Sequence, residues 1–303
     1  MNQASKVLIF GSNGFLGTYL EQSLKEAQNA FFASRQDENS FAVRNFQGEI
    51  LKGELTEVGI QRVVLLLQPT VIINCAALAN VELCEKNPKL AITANSEFPK
   101  YLAKASTLIN CKLIHISSDA VFGQPGKKFK VSDTPMPRSI YGFTKLEGEN
   151  NVLIHAPKSL VVRTNFFGYH PIRPTLLNYF YKKFSKGEHV YGYTNVVFNP
   201  VYVVDLANAL LELADSNCEG ITHFVGNEEI TKYEFALRIL NKMGLPRNLL
   251  DKQELPLDPE FGIGKNNLTL ENSVNELLIN NRYDIDKAIG DSLSRSGKAF
   301  YVN

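Results

Sequence analysis

Short apolar runs rich in β-branched residues alternate with helix-like stretches through the first half of the chain. The runs that predict strands are Lys6–Phe10, Ala30–Ser34, Thr70–Cys75, Lys112–Ser117 and Leu160–Thr164. The stretches that predict helices are Thr18–Ala27, Gly59–Leu67, Pro88–Ser106 and Tyr141–His155. Apolar strands that alternate with helices predict βαβ units, in which helices cover both faces of a parallel sheet. Because such crossovers are right-handed, the expected fold is α/β, with a Rossmann-type doubly wound parallel sheet.

After about residue 165 this pattern loosens, and residues 169–200 carry many aromatic side chains together with several helix breakers. Residues 201–225 are regular again, and a helix is predicted near Thr231–Met243. We therefore expect an NAD(P)-binding Rossmann domain over residues 1–168, to which residues 201–226 return. Residues 169–200 and 227–303 are expected to form a smaller C-terminal substrate-binding lobe.

Composition excludes several classes of function for this chain of 303 residues. A net charge of +1 gives no reason to expect nucleic acid or an acidic membrane surface as a partner. No apolar run approaches the roughly 18–20 residues that span a bilayer, and no signal-peptide pattern precedes the first strand. The 4 cysteines and 5 histidines are scattered without metal-ligand spacing. We expect a cytoplasmic protein with reduced thiols and no metal site.

The segment GSNGFLG (11–17) follows a predicted strand and opens a predicted helix. In that context Gly11 would permit a tight turn, Gly14 would let the backbone approach a pyrophosphate, and Gly17 would let helix and strand pack closely. The helix N-terminus would present N–H groups and partial positive charge to the anion. The spacing is GxxGxxG, and an ordinary strand-to-helix turn is the alternative explanation.

The end of the second strand suggests which dinucleotide would bind. About 20 residues after the glycines, a carboxylate would accept a hydrogen bond from the ribose 2′-hydroxyl of NAD. This chain has Ser34 and Arg35 there, a hydroxyl and a guanidinium that suit a 2′-phosphate. The sequence therefore favours NADP(H), with NAD(H) as the second option. The alternative is that Arg35 is a solvated loop residue.

Tyr141 and Lys145 lie four residues apart in YGFTK and would share one face of a helix. An ammonium beside a phenol is expected to lower the phenol pKa from about 10 towards neutrality, which suits proton exchange with a substrate oxygen. The YxxxK pattern also occurs at Tyr179 and Tyr283, but only Tyr141 follows a hydroxyl motif closely. In that motif, SSDAVFG (117–123), Ser118 would orient a reacting carbonyl, and Ser117 is the competing candidate.

Together these motifs resemble the short-chain dehydrogenase/reductase superfamily, in the extended branch that acts on nucleotide sugars. The matches are GSNGFLG (11–17), NCAA (74–77), Asn95 within TANSEFPKYLAKAS, SSDAVFG (117–123) and YGFTK (141–145). Within that branch the chain is most similar to the dTDP-4-dehydrorhamnose reductase family, which reads close to STDYVFDG where this chain has SSDAVFG. The resemblance implies that Ser118 takes the place of the catalytic threonine, that Tyr141 is the proton donor and that Lys145 is its companion.

The resemblance also extends the predicted sites. The predicted cofactor-binding residues are Gly11, Asn13, Gly14, Phe15, Leu16, Gly17, Ser34, Arg35, Glu54, Leu55, Ala76, Ala77, Asn95, Tyr141 and Lys145. The predicted substrate-binding residues are Ser118, Asp119 and Phe166. Phe166 stands where the family usually has a tryptophan, a residue that this chain lacks entirely. That departure, and Ala120 in place of the family's tyrosine, leave the identity of the sugar open.

The leading functional prediction is an NADP(H)-dependent reductase of a nucleotide-linked 4-keto-6-deoxy sugar. Tyr141 would supply the proton and Ser118 would polarise the oxygen. One alternative is an epimerase or dehydratase of the same superfamily, although Ala120 interrupts the carboxylate pair typical of dehydratases. Another is a non-catalytic cofactor-binding regulatory subunit, like that of methionine adenosyltransferase. The superfamily resemblance further implies a homodimer.

Overall fold

The fold is taken from a computed structural model and is described here for residues 5–24, 29–123, 128–256, 268–273 and 284–296. Its strands are β1 (Val7–Phe10), β2 (Ala30–Arg35), β3 (Ser40–Asn45), β4 (Gly48–Glu54), β5 (Val71–Asn74), β6 (Lys112–Ser118), β7 (Leu160–Thr164), β8 (Phe166–Phe167), β9 (Val190–Tyr193), β10 (Val197–Phe198), β11 (Val201–Tyr202), β12 (Gly220–Phe224), β13 (Ile230–Thr231) and β14 (Leu250–Gln253). Its α-helices are α1 (Phe15–Ser23), α2 (Glu57–Leu67), α3 (Val81–Lys86), α4 (Pro88–Ile92), α5 (Phe98–Leu108), α6 (Ile140–His155), α7 (Leu176–Ser185), α8 (Val203–Ala214), α9 (Lys232–Lys242) and α10 (Ile285–Arg295).

The central sheet has the strand order β12-β7-β6-β5-β1-β2-β3-β4 within the described residues. Strand β1 pairs in parallel with both β2 and β5, and β5 pairs in parallel with β6. The order reverses between β1 and β5, because the chain continues from β1 to β2 on one side and resumes at β5 on the other. Open α/β sheets bind ligands beyond the carboxyl ends of the strands at such a reversal. The predicted Rossmann-type α/β fold is confirmed.

One edge of the sheet differs from the predicted all-parallel pattern. Strands β3 and β4 form an antiparallel hairpin that adds to β2, and the sequence analysis identified neither strand. Their segments, SFAVRN and GEILKGE, mix charged and apolar residues. This mixture is typical of an antiparallel edge, which can leave one face to solvent, and it hides the strands from a search for continuous apolar runs.

The core of the first sheet region is built around β1, of which every residue is buried. The ring of Phe10 meets Phe41 at 5.4 Å and Phe98 at 5.5 Å between centroids, both edge to face. Helix α2 buries Ile60, Val63, Val64 and Leu67, a spacing that places one apolar stripe on the sheet. Since β1 is central and fully buried, it provides a rigid support for the loop that follows it.

The chain divides into two compact units. The first consists of Met1–Val121, Ser139–Arg163 and Ala207–Thr222, and the second of Phe122–Arg138, Thr164–Leu206 and His223–Asn303. The binding roles that the sequence analysis assigned to residues 1–168, 169–200, 201–226 and 227–303 stay predictions, because compactness does not show what each part binds. None of the helices in the described ranges is long and apolar enough to cross a membrane. The same ranges contain no group of three or more His, Cys, Asp or Glu residues arranged to hold a metal ion.

The second unit contains helix α7, which the sequence analysis missed in the aromatic-rich stretch. Its buried residues Leu177, Phe180 and Phe184 recur at helical spacing, so the aromatics form one apolar stripe. The side chain of Thr175 caps the helix by accepting a hydrogen bond from the Asn178 N–H. The breakers that flank this stretch therefore delimit a helix.

Candidate active site

The loop between β1 and α1 requires glycine at two positions. Gly11 has a φ of +83°, and a Cβ on it would stand 2.6 Å from the backbone nitrogen of Ala76. A Cβ on Gly17 would stand 2.2 Å from the carbonyl oxygen of Gly11, so α1 packs directly against the turn. No side chain caps α1 at Gly14, and the first turn of the helix carries no acidic residue. The loop therefore fits the pyrophosphate of a dinucleotide.

The other residues of this loop divide between exposed and buried positions. Asn13 is exposed, Phe15 is half-buried and Leu16 is buried. Ser12, which the sequence analysis did not single out, is also buried, and its hydroxyl donates to the carbonyl of Ala33 at 3.2 Å. This bond ties the glycine turn to β2, the strand whose end carries Ser34.

The residues predicted to meet the adenosine lie where β2 and β4 end and β3 begins. Ser34 is buried and accepts a hydrogen bond from the Gln36 side chain at 3.3 Å. Arg35 is exposed, and its Nε donates to the carbonyl of Asp37 at 2.7 Å. Glu54 pairs in register with Ser40 across the hairpin, while the Leu55 N–H donates to the carbonyl of Asn39 at 2.7 Å. The hairpin that the sequence analysis missed thus brings Glu54 to the edge where Arg35 lies.

The YGFTK segment begins helix α6. Ser139 caps the helix by accepting from the Gly142 N–H at 3.0 Å, which places Tyr141 in the first turn and Lys145 one turn later. Strand β6 ends at Ser118, whose hydroxyl donates to Asp119 Oδ1 at 2.8 Å. The Ser118 hydroxyl also affects the pKa of the Tyr141 phenol, so the two side chains are neighbours. The structure thus brings together the predicted carbonyl-orienting hydroxyl and the predicted proton donor.

The expected lowering of the Tyr141 pKa is wrong for the protein by itself. Burial raises the pKa of Tyr141 to about 12, the Ser118 hydroxyl opposes this rise, and the Asp119 carboxylate adds to it. The ammonium of Lys145 does not reverse the effect of burial on the Tyr141 pKa, and its Nζ donates to the carbonyl of Ile116 at 2.6 Å. Tyr141 is therefore a protonated phenol at neutral pH, the form that a proton donor requires.

Lys145 is buried within a polar cluster that the sequence analysis did not foresee. Its Nζ lies 3.4 Å from Nε2 of His115, and His115 Nδ1 lies 3.0 Å from Nδ2 of Asn74. Burial lowers the pKa of Lys145 to about 8, although the Glu149 carboxylate and then Cys75 oppose the change. A histidine inside the apolar KLIHIS strand was the signal in the sequence for this cluster.

Asn95 lies in a short π-helical segment, Thr93–Glu97, between α4 and α5. Its side chain accepts from the Leu78 N–H at 2.8 Å, and donates to the Leu78 carbonyl and to the Thr144 hydroxyl, each at 3.1 Å. Asn95 thereby joins the loop of Ala76 and Ala77 to the residue that precedes Lys145. A Cβ on Gly148 would stand 2.1 Å from the Asn95 carbonyl oxygen, so α6 passes against this segment without room for a side chain.

Ser117, the competing hydroxyl, belongs to a different environment. Its hydroxyl donates to Glu149 Oε1 at 2.5 Å, and Glu149 pairs with Arg163, whose Nη2 lies 2.7 Å from Oε2. Both charged side chains are almost fully buried, at 1% and 2% exposed. Ser117 is thus held by Glu149, about two helical turns along α6 from Tyr141, whereas Ser118 at the end of β6 lies beside the phenol.

The remaining sequence-predicted residues lie elsewhere. Phe166 belongs to β8 of the second unit, where it is half-buried and pairs in register with Val201. The second YxxxK pattern is on the surface, since Tyr179 is half exposed and Lys183 forms an ion pair with Glu188. The third pattern begins at residue 283, outside the described residues. Within residues 257–283 of the predicted substrate-binding lobe, only residues 268–273 are described.

Comparison with known proteins identifies relatives over most of the chain. The family described as RmlD substrate binding domain matches residues 5–258. A dTDP-4-dehydrorhamnose reductase of Aggregatibacter actinomycetemcomitans is 29% identical over 256 residues, which cover 78% of this chain and 79% of the relative. The methionine adenosyltransferase 2 subunit beta of Bos taurus is 31% identical over 259 residues, with 81% and 74% covered.

A solved structure shares the fold over nearly its whole length. The dTDP-4-dehydrorhamnose reductase of Bacillus anthracis, solved in complex with NADP, superposes with a TM-score of 0.78. It covers 96% of this chain and 99% of its own, at 23% sequence identity. At that level of identity the likeness establishes the fold.

Proposed function

This chain belongs to the RmlD substrate binding domain family, and from that premise we propose that it is an NADP(H)-dependent reductase of a nucleotide-linked 4-keto-6-deoxy sugar. Reduction of dTDP-4-dehydrorhamnose is the activity named for its reductase relatives. The NADP complex of the reductase of the same fold favours the phosphorylated cofactor, while NAD-bound structures of similar fold leave NAD(H) as the second option.

The observation that carries the proposal is the placement of Ser118, at the carboxyl end of β6, beside Tyr141 in the first turn of α6, one helical turn from Lys145. Reduction of a ketone leaves an alkoxide that must receive a proton. Tyr141, with a pKa of about 12, holds a proton across the physiological range and can release it to a more basic oxygen. The Ser118 hydroxyl, which donates to Asp119 in this structure, would turn to donate to the same oxygen.

Different residues of the first unit would bind the cofactor and transfer the proton. When bound, NADPH supplies the hydride that the keto carbon accepts. The glycine turn would hold the pyrophosphate, and Arg35 with Ser34 would hold the 2′-phosphate. Tyr141 would transfer its proton to the sugar oxygen, while Lys145 would hold the ribose. Because the nicotinamide carries out the bond-breaking chemistry, the protein contributes mainly alignment and a proton.

The second candidate function is a cofactor-binding regulatory subunit. Its support is the 31% identity to the methionine adenosyltransferase 2 subunit beta. This chain retains Ser118, Tyr141 and Lys145 in contact or one turn apart, an arrangement that binding alone does not need. An epimerase or dehydratase is less well supported, since Ala120 replaces the second carboxylate that a dehydratase typically places after the active-site hydroxyl.

A reductase assay tests the proposed function directly. NADPH is mixed with the protein and with dTDP- and UDP-linked 4-keto-6-deoxy sugars in turn, and the loss of absorbance of the reduced nicotinamide is followed. We expect oxidation with at least one of these sugars. Tight NADPH binding without oxidation by any of them would contradict the proposal and favour a regulatory subunit.

Replacing Arg35 by alanine tests the proposed cofactor. The guanidinium is expected to form charged hydrogen bonds with the 2′-phosphate, worth about 1.5–3 kcal/mol. Arg35→Ala should therefore weaken NADPH binding by roughly 10- to 100-fold and leave NADH binding nearly unchanged. Arg62→Ala, which removes an exposed guanidinium from α2, is the matched control and should change neither. An unchanged preference in Arg35→Ala would remove this residue from the site.

A further inference from the structure

A buried hydrogen-bond chain leads from the loop after β5 to Lys145. The Ala76 N–H donates to Asn74 Oδ1 at 3.1 Å. Asn74 Nδ2 lies 3.0 Å from Nδ1 of His115, its partner in register across β5 and β6. Nε2 of His115 lies 3.4 Å from Nζ of Lys145. Asn74 and His115 are 1% and 0% exposed, so both side chains are shielded from bulk solvent.

The first hydrogen bond, from Ala76 to Asn74, determines which atom donates and which accepts in each of the following bonds. A backbone N–H can only donate, so the Asn74 atom that faces Ala76 must be the oxygen. The amide nitrogen of Asn74 therefore faces His115 and donates to Nδ1. A neutral imidazole carries one proton, and with Nδ1 accepting, that proton must be on Nε2. Burial, with a further effect of the Lys145 charge, holds the pKa of His115 well below its usual 6.5, so the ring is neutral.

The position of this ring proton affects the charge of Lys145. A ring N–H that points at an ammonium opposes its positive charge, whereas a neutral amine offers a lone pair that can accept it. We propose that Asn74 and His115 are positioning residues that hold a ring proton against the amine of Lys145 and so control when this lysine is charged. The inference rests on the proposed function insofar as Lys145 serves the reductase reaction.

Other charged and titratable groups also act on Lys145 and must be separated from His115. On its own helix these are Tyr141 and Glu149, and Glu149 favours the ammonium. From the loop after β5, Cys75 also favours the ammonium. The carbonyl of Ile116 accepts from Nζ at 2.6 Å and is compatible with either form of the lysine. His115 is the neighbour whose proton opposes the charge.

Nitrogen NMR of the full-length protein without added ligand tests the proton positions in this hydrogen-bond chain directly. We expect His115, assigned through the backbone, to show the Nε2–H tautomer at pH 7. In Asn74→Asp, the carboxylate can accept from both the Ala76 N–H and the ring, so the proton should move to Nδ1. Nε2 would then accept from Lys145, and the lysine pKa, followed by its side-chain carbon shift, should rise by about 1–2 units. An Nδ1–H tautomer in the unsubstituted protein would overturn the inference.

The new carboxylate also attracts an ammonium through its charge, so the design includes a background without the ring proton. In His115→Phe, adding Asn74→Asp should raise the Lys145 pKa by less than half of that amount. An equal rise there would mean that His115 transmits nothing and would overturn the inference. Asn208→Asp, which adds a charge at an exposed position of the first unit, is the control and should leave tautomer and pKa unchanged.

The functional readout is the pH profile of the reductase assay. If charged Lys145 supports turnover, the rate should fall as pH rises through about 8, where the lysine loses its proton. In Asn74→Asp this fall should move to higher pH by about the same 1–2 units. If the lysine pKa rises but the rate still falls at the same pH, the hydrogen-bond chain does not control turnover. An absence of turnover in all variants would count against the reductase and leave the NMR result standing.

Discussion

Tyr141→Phe is expected to lower the rate of sugar reduction by about 10²–10⁴-fold, because it removes the phenol that is proposed to protonate the new alkoxide. The substitution deletes a single oxygen from a half-buried ring, so the fold and NADPH binding should be nearly unchanged. The measurement is nicotinamide oxidation at saturating NADPH, accompanied by a binding titration of NADPH. The effect should therefore appear in kcat and only weakly in cofactor affinity.

The second YxxxK pattern offers a matched control. Tyr179→Phe makes the same chemical change at an exposed position of α7 and should leave the rate within twofold of that of the unsubstituted protein. Oxidation that persists at full rate in Tyr141→Phe would remove the phenol from the proposed mechanism. Ser118→Ala would then show whether the hydroxyl of β6 acts alone.

Arg163→Met is expected to lower the free energy of unfolding by about 3–5 kcal/mol. The reason is that Glu149, only 1% exposed, would keep its charge in the interior without the guanidinium that now pairs with it. A loss of this size is a large part of the 5–15 kcal/mol typical of a folded domain. Urea unfolding followed by circular dichroism measures it. A loss below about 1 kcal/mol would show that the pair contributes little.

Two further variants make this prediction sharper. Arg238→Met breaks ion pairs with Glu228 and Asp286, but its side chain is 26% exposed and its partners are about half exposed. Solvent screens such pairs, so we expect a loss of at most about 1 kcal/mol. The double variant Arg163→Met with Glu149→Leu removes both buried charges and should regain most of the stability lost in the single variant. A double variant as unstable as the single would point to lost packing as the cause.

Much of the sheet could be read from the residues alone. The apolar runs of β1, β5 and β7 are continuous because these strands are buried between two layers, and the sequence predicts each of them within a residue or so. The edge hairpin of β3 and β4 was not predicted, because its segments mix charged, polar and apolar residues. Helix α7 was not predicted, because exposed and buried aromatic residues are mixed in its sequence. The helical spacing appears only when the buried residues are considered alone.

In the candidate site too, the sequence predicts some features of single residues, and others depend on tertiary contacts. The spacing of YGFTK places Tyr141 and Lys145 one turn apart, which any helix would do. The expected effect of the lysine on the phenol was wrong, since Lys145 donates to Ile116 and burial dominates the Tyr141 pKa. Similarly, the hydrogen-bond partners of Ser117 and His115 belong to other helices and strands. The sequence near either residue does not predict them.

By itself, the sequence determined the alternation of strands and helices, the glycine turn at the end of β1 and the one-turn spacing of Tyr141 and Lys145. These features depend on local backbone geometry and on which side chains avoid water, and both are properties of short segments. Only the tertiary structure decided the charge and proton states of the site. Those states depend on burial and on partners such as Asn74, His115 and Glu149, which lie far apart in sequence and meet only when parallel strands and α6 come together. Because the energy of a charge depends on everything within a few ångströms, it is known only once the chain has folded.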